Sequence, residues 1–423
     1  MVRKPDMRAW LSLSVAAVLC WGTGAALEQE GDVSMNAKAV RFIQDRFAIG
    51  LWVDPPVDDR ADERYKEVAA ANFTMVIGGF GAPTPEKLRE QIRLCEKYDL
   101  RLIPFCRDIP PNELPESPAV WGYGLRDEPS AADFAELRKQ VDAIRTHRPR
   151  RLAYINLYPN YAGPRQLGVD TYEEHVSRFV SEVGVDVLSM DHYPIFKPDR
   201  DGRDLYCENL ETMRRHSLAA GIPFWNFFNI MPYGAHTDPT EDQVRWQVFT
   251  SLAYGAKGVM YFCYFTPRGH EFPKGGAIIA ADGRRTRHWY QARRINEQVR
   301  NLGPTLMKLT SIGVYRVKPE DDPAAVLEGT PIVNIRRADV DPPNDYLVGV
   351  FRHEDGRAGV MLNNYRFAFT AWPTVEFRAP VDRVVEVDRW TGREIPVLDD
   401  SPDMDGLQIS LDAGDGRLFL APP

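Results

Sequence analysis

The feature that most constrains the fold of this chain is a set of eight short apolar runs between residues 47 and 264. In chain order they are FAIGLWV, FTMVIGG, LRLIPF, VWGYGL, RLAYINLY, VDVLSM, PFWNFFNI and KGVMYFCY. Most are followed by a polar turn and then by a stretch with helical periodicity. Short, nearly continuous apolar strands that alternate with amphipathic helices are typical of a parallel sheet covered by helices. Eight such units over roughly 250 residues predict a closed (β/α)8 barrel.

Helix start signals lie between these runs. A side-chain cap followed by a favourable residue in the first turn occurs at Thr84 with Pro85, Ser130 with Asp133, Thr171 with Glu174 and Thr240 with Gln243. The third unit is different, because four prolines follow Phe105 before the fourth run begins. Prolines break a helix, so we expect an irregular loop in place of the third crossover helix.

After the barrel the pattern changes to short alternating strands separated by Asp, Gly and Pro turns. This pattern predicts an antiparallel β-sandwich over residues 307–423, following a barrel over residues 28–306. Trp372 and Trp390 lie in this second part. Scattered aromatic residues of a sandwich more often belong to its core than to a sugar-binding surface, so we expect both in the core.

The first 27 residues resemble an export signal. Arg3, Lys4 and Arg8 precede an apolar run over residues 9–19, and small residues follow up to Ala26. We expect cleavage after Ala25 or Ala26, an exported protein in the periplasm or outside the cell, and no membrane contact once the signal is removed. Cleavage would leave Cys95, Cys106, Cys207 and Cys263. The sequence does not choose between free thiols and one disulfide, and it does not predict an oligomeric state.

Charge and motifs exclude several function classes. The formal net charge is -8 and the pI is about 5.6, which argues against a nucleic-acid-binding surface. The chain has no GxGxxG, GxxxxGK or GxSxG element, which are the signatures of nucleotide binding and of the commonest serine hydrolases. It also has no Cys-x-x-Cys or His-Cys cluster, so we predict no metal and no cofactor. Neutral or polyhydroxylated ligands fit better.

The most informative motif is WGYGLRDEP, from Trp121 to Pro129, in which a strand delivers Asp127 and Glu128 to the rim of the barrel. The active site of a parallel barrel lies at the carboxyl ends of its strands, so polar and aromatic residues just after the other runs are candidates too. The candidates for substrate binding are Trp52, Asp54, Arg126, Asn156, Tyr158, His192, Tyr193, Trp225, Asn226, Asn229, Tyr261 and Tyr264. Aromatic faces stack on the C–H surfaces of sugars, while carboxylates and amides bind hydroxyl groups. These residue types therefore predict a carbohydrate ligand.

At these residues the chain resembles the glycoside hydrolase barrels of the broad clan A type. WGYGLRDEP is similar to the strand-four motif of that clan, in which a carboxamide or carboxylate precedes the acid/base glutamate. The segment AYGAKGVMYFCYF and the helix that follows it resemble the eighth unit of such enzymes. The resemblance covers roughly residues 47–306 and, in outline, the sandwich. It implies that Glu128 is the general acid/base and that Asp127 binds the hydroxyl next to the reacting carbon.

The sequence departs from the clan at the end of strand seven, where Asn229 stands in place of the expected glutamate nucleophile. Glycoside hydrolysis normally needs a second carboxylate, about 5 Å away for a nucleophile or roughly 6.5 to 9.5 Å away for a base. Asp191, at the end of strand six, is the best candidate. Asp238 and Glu241 in the strand-seven loop are alternatives, although Glu241 also suits a helix start.

We therefore expect an exported glycoside hydrolase of an oligo- or polysaccharide, with Glu128 as acid/base and Asp191 as nucleophile or water-activating base. Three alternatives stay open. In the first, Asp127 and Glu128 act together as in hexosaminidases, where a substrate acetamido group attacks. In the second, the protein binds carbohydrate without cleaving it. In the third, it is a polysaccharide lyase.

Overall fold

The structure is a computed structural model that describes residues 40–423 except 107, 198–199, 269–271, 273–275 and 338–341. The predicted export signal lies outside the described residues. Arg41–Pro423 form one compact unit.

The eight apolar runs form one parallel sheet in the order β3-β2-β1-β8-β7-β6-β5-β4. The strands are β1 (Ala48–Leu51), β2 (Met75–Gly78), β3 (Arg101–Pro104), β4 (Gly122–Asp127), β5 (Leu152–Leu157), β6 (Leu188–Asp191), β7 (Phe224–Asn229) and β8 (Gly258–Phe262). Two parallel bridges, Leu102 with Val120 and Phe105 with Gly124, connect β3 to β4 and complete the ring. The predicted barrel fold is confirmed.

Helices cover the outside of this barrel. They are α1 (Ala61–Ala70), α2 (Pro85–Lys97), α3 (Phe134–His147), α4 (Pro164–Leu167), α5 (Tyr172–Arg178), α6 (Arg203–Ala220), α7 (Glu241–Ala253) and α8 (Arg287–Leu306). The side chains of Thr84, Ser130, Thr171 and Thr240 all cap backbone N–H groups at helix starts, as predicted. Between β3 and β4 the described chain forms only the short 3-10 turn Pro111–Glu113, as the four prolines predict.

The second part of the chain is antiparallel. Its larger sheet has the order β15-β14-β16-β12-β11-β9, and β10 and β13 form a smaller one. The strands are β9 (Leu309–Val317), β10 (Ile332–Arg336), β11 (Tyr346–His353), β12 (Ala358–Asn364), β13 (Thr374–Phe377), β14 (Val385–Val387), β15 (Glu394–Pro396) and β16 (Gly416–Ala421). Trp372 and Trp390 are 38% and 56% exposed, so our expectation that they belong to the core is wrong.

The barrel and the larger antiparallel sheet pack together through α7. The whole second half of this helix, from Trp246 to Ala253, is buried, because the barrel lies on one side of it and the antiparallel sheet on the other. Asn363 on β12 donates a hydrogen bond of 2.7 Å to the carbonyl of Phe249. Gly349 on β11 faces the carbonyl of Ala253 so closely that an added Cβ would lie 2.2 Å from that oxygen.

Cys95, Cys106, Cys207 and Cys263 are free thiols in the described chain. Of its helices, none combines the length and the apolar character needed to cross a bilayer.

Candidate active site

The end of β4 is irregular, and this irregularity determines where Asp127 points. Gly124 pairs with Tyr154 on β5, but the next pair is Arg126 with Ile155, so Leu125 forms a bulge. Neighbouring residues of a strand point to opposite faces, and one extra residue reverses the alternation beyond it. Asp127 consequently pairs with Asn156 and faces the inside of the barrel.

Glu128 also faces the inside, although it directly follows Asp127. Its backbone has a positive φ of 49°, a left-handed conformation that is rare for a residue with a large side chain. Its N–H donates a hydrogen bond of 2.8 Å to the carbonyl of Asn156, which holds this turn against β5. Backbone strain of this kind is concentrated at functional sites. The bulge and the turn together place two consecutive carboxylates in the same cavity.

This cavity opens at the carboxyl ends of the strands and has a volume of about 330 Å3. The residues that line it are Trp52, Asp127, Glu128, Asn156, Asp191, Tyr193, Phe227, Tyr233, Phe262 and Phe272. Three of them are carboxylates and six are aromatic. A cavity with apolar aromatic walls and a few convergent polar groups has the composition of a ligand site.

Asn156 on β5 connects all three carboxylate residues. Its side-chain NH2 group donates to Asp191 Oδ1 at 3.0 Å and to Asp127 Oδ1 at 3.3 Å. Its backbone carbonyl accepts a hydrogen bond from the N–H of Glu128. The orientation of this side-chain amide is fixed by Ser189 on β6, whose hydroxyl donates a hydrogen bond of 2.9 Å to Asn156 Oδ1. Ser189 in turn lies 3.0 Å from the buried hydroxyl of Tyr154. The network keeps the donor end of Asn156 turned toward the carboxylates.

The carboxylates have unusual acidities. Desolvation, followed by the nearby charge of Asp127, raises the pKa of Glu128 to about 7. Desolvation also raises the pKa of Asp191 well above its ordinary value, and the charges of Glu128 and Asp127 add to this effect. Hydrogen bonds from Asn156 and Tyr193 to Asp191 oppose the rise. The ionised form of Glu128 therefore favours the protonated form of Asp191, so the two groups titrate together.

Several predicted ligand-binding residues of β7 and β8 do not reach the cavity. Asn226 points outward and donates to the hydroxyls of Tyr206 and Ser251, and Tyr261 points outward and donates to Asn296. The residues that follow them, Phe227 and Phe262, line the cavity instead, because strand neighbours alternate.

Asn229 and Tyr264, just beyond these strand positions, are fully or almost fully buried and are not among the lining residues. The prediction that Asn226, Asn229, Tyr261 and Tyr264 contact a ligand is wrong.

Four further predictions are corrected in the same way. His192 is buried on the outer side of β6, where its Nδ1 lies 3.0 Å from Asn209 Oδ1. Trp225 lies in the inner core of the barrel and donates to Gln44. Arg126 lies opposite Ile155 of the outer core, 3.6 Å from Asp133. Asp54 is buried and accepts hydrogen bonds from the loop after β2.

Trp52, Asn156 and Tyr193, which we predicted to bind substrate, line the cavity together with the three predicted carboxylates. Tyr158 lies near its rim, where the charges of Glu128 and Asp127, after desolvation, raise its pKa. The alternative carboxylates Asp238 and Glu241 are ion-paired, with Arg287 and Arg294 respectively, and do not line the cavity.

Sequence reasoning missed four aromatic lining residues, which are Phe227, Tyr233, Phe262 and Phe272. Phe227 and Phe262 lie inside the apolar runs, and only the phase of the pleat distinguishes an inward phenylalanine from an outward one. Tyr233 and Phe272 lie in the loops after β7 and β8, and no sequence signal directs them to the cavity.

Comparisons with known proteins concern the fold of the chain. A family model described as beta-galactosidase, of the glycoside hydrolase 42 type, matches residues 129–302, which is less than half of the 423 residues. The matched segment begins at the residue after Glu128 and ends within α8. No protein of curated function matches the chain.

Solved structures share the architecture. A beta-galactosidase from Bacillus circulans sp. alkalophilus has a TM-score of 0.56 and 11% identity, with 89% of this chain and 99% of that chain covered. A GH42 beta-galactosidase from G. stearothermophilus has a TM-score of 0.55 and 9% identity, with 90% and 99% covered. A family 39 glycoside hydrolase from Bacteroides cellulosilyticus WH2 has a TM-score of 0.51 and 14% identity, with 89% and 81% covered.

The chain has the fold of the glycoside hydrolase barrels, and a glycoside hydrolase family model matches part of it. The partial family match and the shared architecture together support glycosidase chemistry. The resemblance stated from WGYGLRDEP is thereby confirmed at the level of this superfamily.

Proposed function

We propose that this protein hydrolyses a glycosidic bond of an oligo- or polysaccharide, with Glu128 as general acid/base and Asp191 as nucleophile or water-activating base. One observation carries the proposal. Glu128, directly after β4, and Asp191 on β6 line the same cavity, and that cavity has aromatic walls. Paired carboxylates on either side of a sugar are the usual machinery of glycoside hydrolysis.

The acidity of Glu128 suits its role, and a hydrogen bond supports the role of Asp191. A carboxyl group with a pKa of about 7 retains a proton near neutral pH, so Glu128 can protonate the departing glycosidic oxygen as the C–O bond breaks. Asp191, in its ionised form, then either bonds to the anomeric carbon or takes a proton from the water that attacks it. Asn156 stabilises the ionised form of Asp191, because its amide donates to Oδ1. For each glycosidic bond cleaved, one water molecule is consumed and each of the two sugar fragments ends in a hydroxyl group.

The cavity lining favours a sugar without negative charge. Among the described residues that line it, none is Arg, Lys or His, whereas three are acidic. A uronate or sulfate group would meet repulsion here without a cation to offset it. The same composition argues against a polysaccharide lyase, which would need a uronate-binding arginine beside its catalytic tyrosine or histidine.

A second mechanism is favoured by the bulge in β4. Asp127 and Glu128 both face the cavity, and Asn156 donates to Asp127. In a substrate-assisted reaction, Asp127 would orient an acetamido group that attacks the anomeric carbon while Glu128 donates the proton. Hydrolysis restricted to N-acetylhexosaminides would favour this mechanism. Hydrolysis of sugars that carry a 2-hydroxyl group would favour Asp191 as the second carboxylate.

The decisive experiment measures product release from the mature protein. A panel of 4-nitrophenyl β-glycosides of galactose, glucose, N-acetylglucosamine and N-acetylgalactosamine is compared with β-linked oligosaccharides assayed for new reducing ends. We expect hydrolysis by the parent and its loss in Glu128→Gln. Glu90→Gln, an exposed helix carboxylate paired with Arg93, is the matched control and should retain activity. Binding by a parent that hydrolyses none of these compounds would instead indicate a non-catalytic carbohydrate-binding protein.

We also propose that the protein is exported, on the strength of its first 27 residues. Mass spectrometry of the protein recovered from the periplasm or the medium should give a chain that begins at Ala26 or Leu27. An uncleaved chain recovered from the cytoplasm would contradict this.

A further inference from the structure

The loop after β2 is built around a buried carboxylate that the proposed chemistry does not use. Asp54 is 1% exposed, and its Oδ1 accepts hydrogen bonds from the N–H groups of Phe80 at 2.9 Å and Gly81 at 3.0 Å. Its Oδ2 accepts from Gly79 at 3.4 Å and from the side chain of Gln91. Three consecutive backbone N–H groups thus converge on one side chain.

The two glycines of this loop are required by its shape. Gly79 has a φ of 126°, which residues with a Cβ rarely adopt. A Cβ on Gly81 would lie 1.9 Å from the carbonyl of Pro55. Burying a carboxylate is costly unless it is hydrogen-bonded, and desolvation raises the pKa of Asp54 despite these bonds. The buried Asp54 therefore fixes the backbone at residues 79–81, although its desolvation is unfavourable for folding.

The side chain that this fixed backbone presents to solvent is Phe80. Its ring is 53% exposed, and its centroid lies 5.5 Å from that of Trp52 in an edge-on arrangement. Trp52 is a wall of the candidate active site and is itself packed against Phe105 and Phe227. Phe80 is thus an exposed aromatic ring that is held by its backbone beside the mouth of the cavity.

The size of the cavity indicates what Phe80 would meet. A volume of about 330 Å3 is near the lower end of the usual range for ligand pockets, about 300 to 1,000 Å3. We take this as room for one sugar ring, so that the next ring of a longer glycan must lie outside the cavity, beside Trp52 and Phe80.

We propose that Phe80 and Trp52 form a binding subsite for the second sugar ring of the glycan, with Phe80 stacking on its apolar C–H face. This rests on the proposed function only in that the ligand is a carbohydrate. The subsite makes the protein prefer oligosaccharides to single sugars, because the second ring contributes affinity. Asp54 is a positioning residue for this subsite, since it acts only by fixing the loop.

The test measures how affinity depends on glycan length. Binding to Glu128→Gln protein is measured by calorimetry with mono-, di- and trisaccharides of β-1,4-linked galactose, glucose and N-acetylglucosamine. In at least one series, affinity should rise about tenfold from the mono- to the disaccharide, equivalent to about 1.4 kcal/mol. Adding Phe80→Ala should remove most of this rise and leave monosaccharide affinity unchanged, whereas Phe80→Trp should preserve the rise.

The control is Phe369→Ala, which removes an equally exposed ring from the antiparallel part of the chain, 59% exposed. It should leave the length dependence intact. Asp54→Asn should weaken the length dependence as Phe80→Ala does, because the uncharged amide holds the loop less firmly.

The proposal is overturned if no series shows a rise with length or if the rise survives Phe80→Ala. A parent protein that shows length-dependent binding but never releases reducing ends would contradict the hydrolase proposal and leave the subsite standing.

Discussion

At the scale of single residues, the site depends on Glu128 and on the groups that set its acidity. Its carboxyl is desolvated beside Asp127, and its backbone is held in a left-handed turn by Asn156. The sequence was sufficient to select the three carboxylates that line the cavity, because a polar residue at the end of an apolar run can be recognised from the sequence alone. It was not sufficient to identify Phe227 or Phe262, because inward and outward aromatic residues of one strand look alike in sequence.

The pKa of Glu128 leads to the first prediction. As a general acid it must hold its proton, so kcat/KM should fall as the pH rises through about 7. Glu128→Gln should lower kcat/KM for oligosaccharides by about 10²- to 10⁴-fold and abolish this alkaline limb. A pH–rate series on both proteins checks this. An alkaline limb that persists in the variant would assign the titration to another group.

Asp191 leads to a prediction about stability. A raised pKa means that the folded state binds the proton more tightly than the unfolded state does, so this carboxyl contributes least to stability at high pH. The loss occurs as the pH rises from the ordinary pKa of an aspartate toward the raised one. Asp191→Asn should therefore raise the apparent Tm by about 2 °C or more at pH 8, and by less at pH 5, while activity is lost.

Asp186 is the matched control for this measurement. It is also a buried aspartate, but it is paired with Arg41 and with Arg145 at 2.8 Å. Asp186→Asn should lower the Tm, because it leaves Arg145 without its charged partner. A lower Tm for Asp191→Asn at both pH values would contradict our account of the carboxylate cluster.

At the scale of elements, the pairing of β4 with β5 beyond the bulge at Leu125 is the feature on which the site depends. The sequence predicted a strand that ends in two carboxylates, but regular alternation would have turned Asp127 away from Glu128. The bulge could not be predicted from the amino-acid sequence, because it arises from how β4 pairs with β5. The same alternation explains why the predictions at Asn226 and Tyr261 were wrong while those at Asn156 and Tyr193 agree with the cavity lining.

Deleting Leu125 tests this interpretation. The deletion removes the extra residue, so Arg126 and Asp127 can keep their pairing with Ile155 and Asn156 on β5, and Asp127 should still face the cavity. We therefore expect a folded deletion variant to retain most of the parental kcat/KM. Leu125→Ala keeps the extra backbone residue, so it should retain most of the activity. Circular dichroism of both variants monitors the fold. A folded deletion variant whose kcat/KM falls by at least about 10²-fold would show that the extra residue itself, and not the pairing of Asp127 with Asn156, positions the carboxylates.

At the scale of the whole molecule, the antiparallel part supports the barrel through α7. The change in pattern after residue 306 was enough to predict a second, antiparallel part. The packing of its larger sheet on α7 was not predictable, because a helix that is buried along its second half has no clear amphipathic signal. Trp372 and Trp390 illustrate the same limit, since their exposure depends on strand arrangement.

Removal of the antiparallel part should therefore damage the barrel. A chain of residues 41–307 would expose the face of α7 that β11 and β12 cover, including the backbone around Phe249 and Ala253. We expect this fragment to aggregate or to lose its cooperative thermal transition, as measured by size-exclusion chromatography and calorimetry. A monomeric fragment with the Tm and activity of the full chain would contradict this role.

The most direct test of the central claim is the distance between residue 128 and the bond to be cleaved. A crystal structure of Glu128→Gln with a bound oligosaccharide provides it. We predict that the glycosidic oxygen lies about 2.6 to 3.2 Å from the side chain of residue 128, inside the cavity between β4 and β6. A glycan bound elsewhere on the molecule, with this cavity free of sugar, would contradict the account.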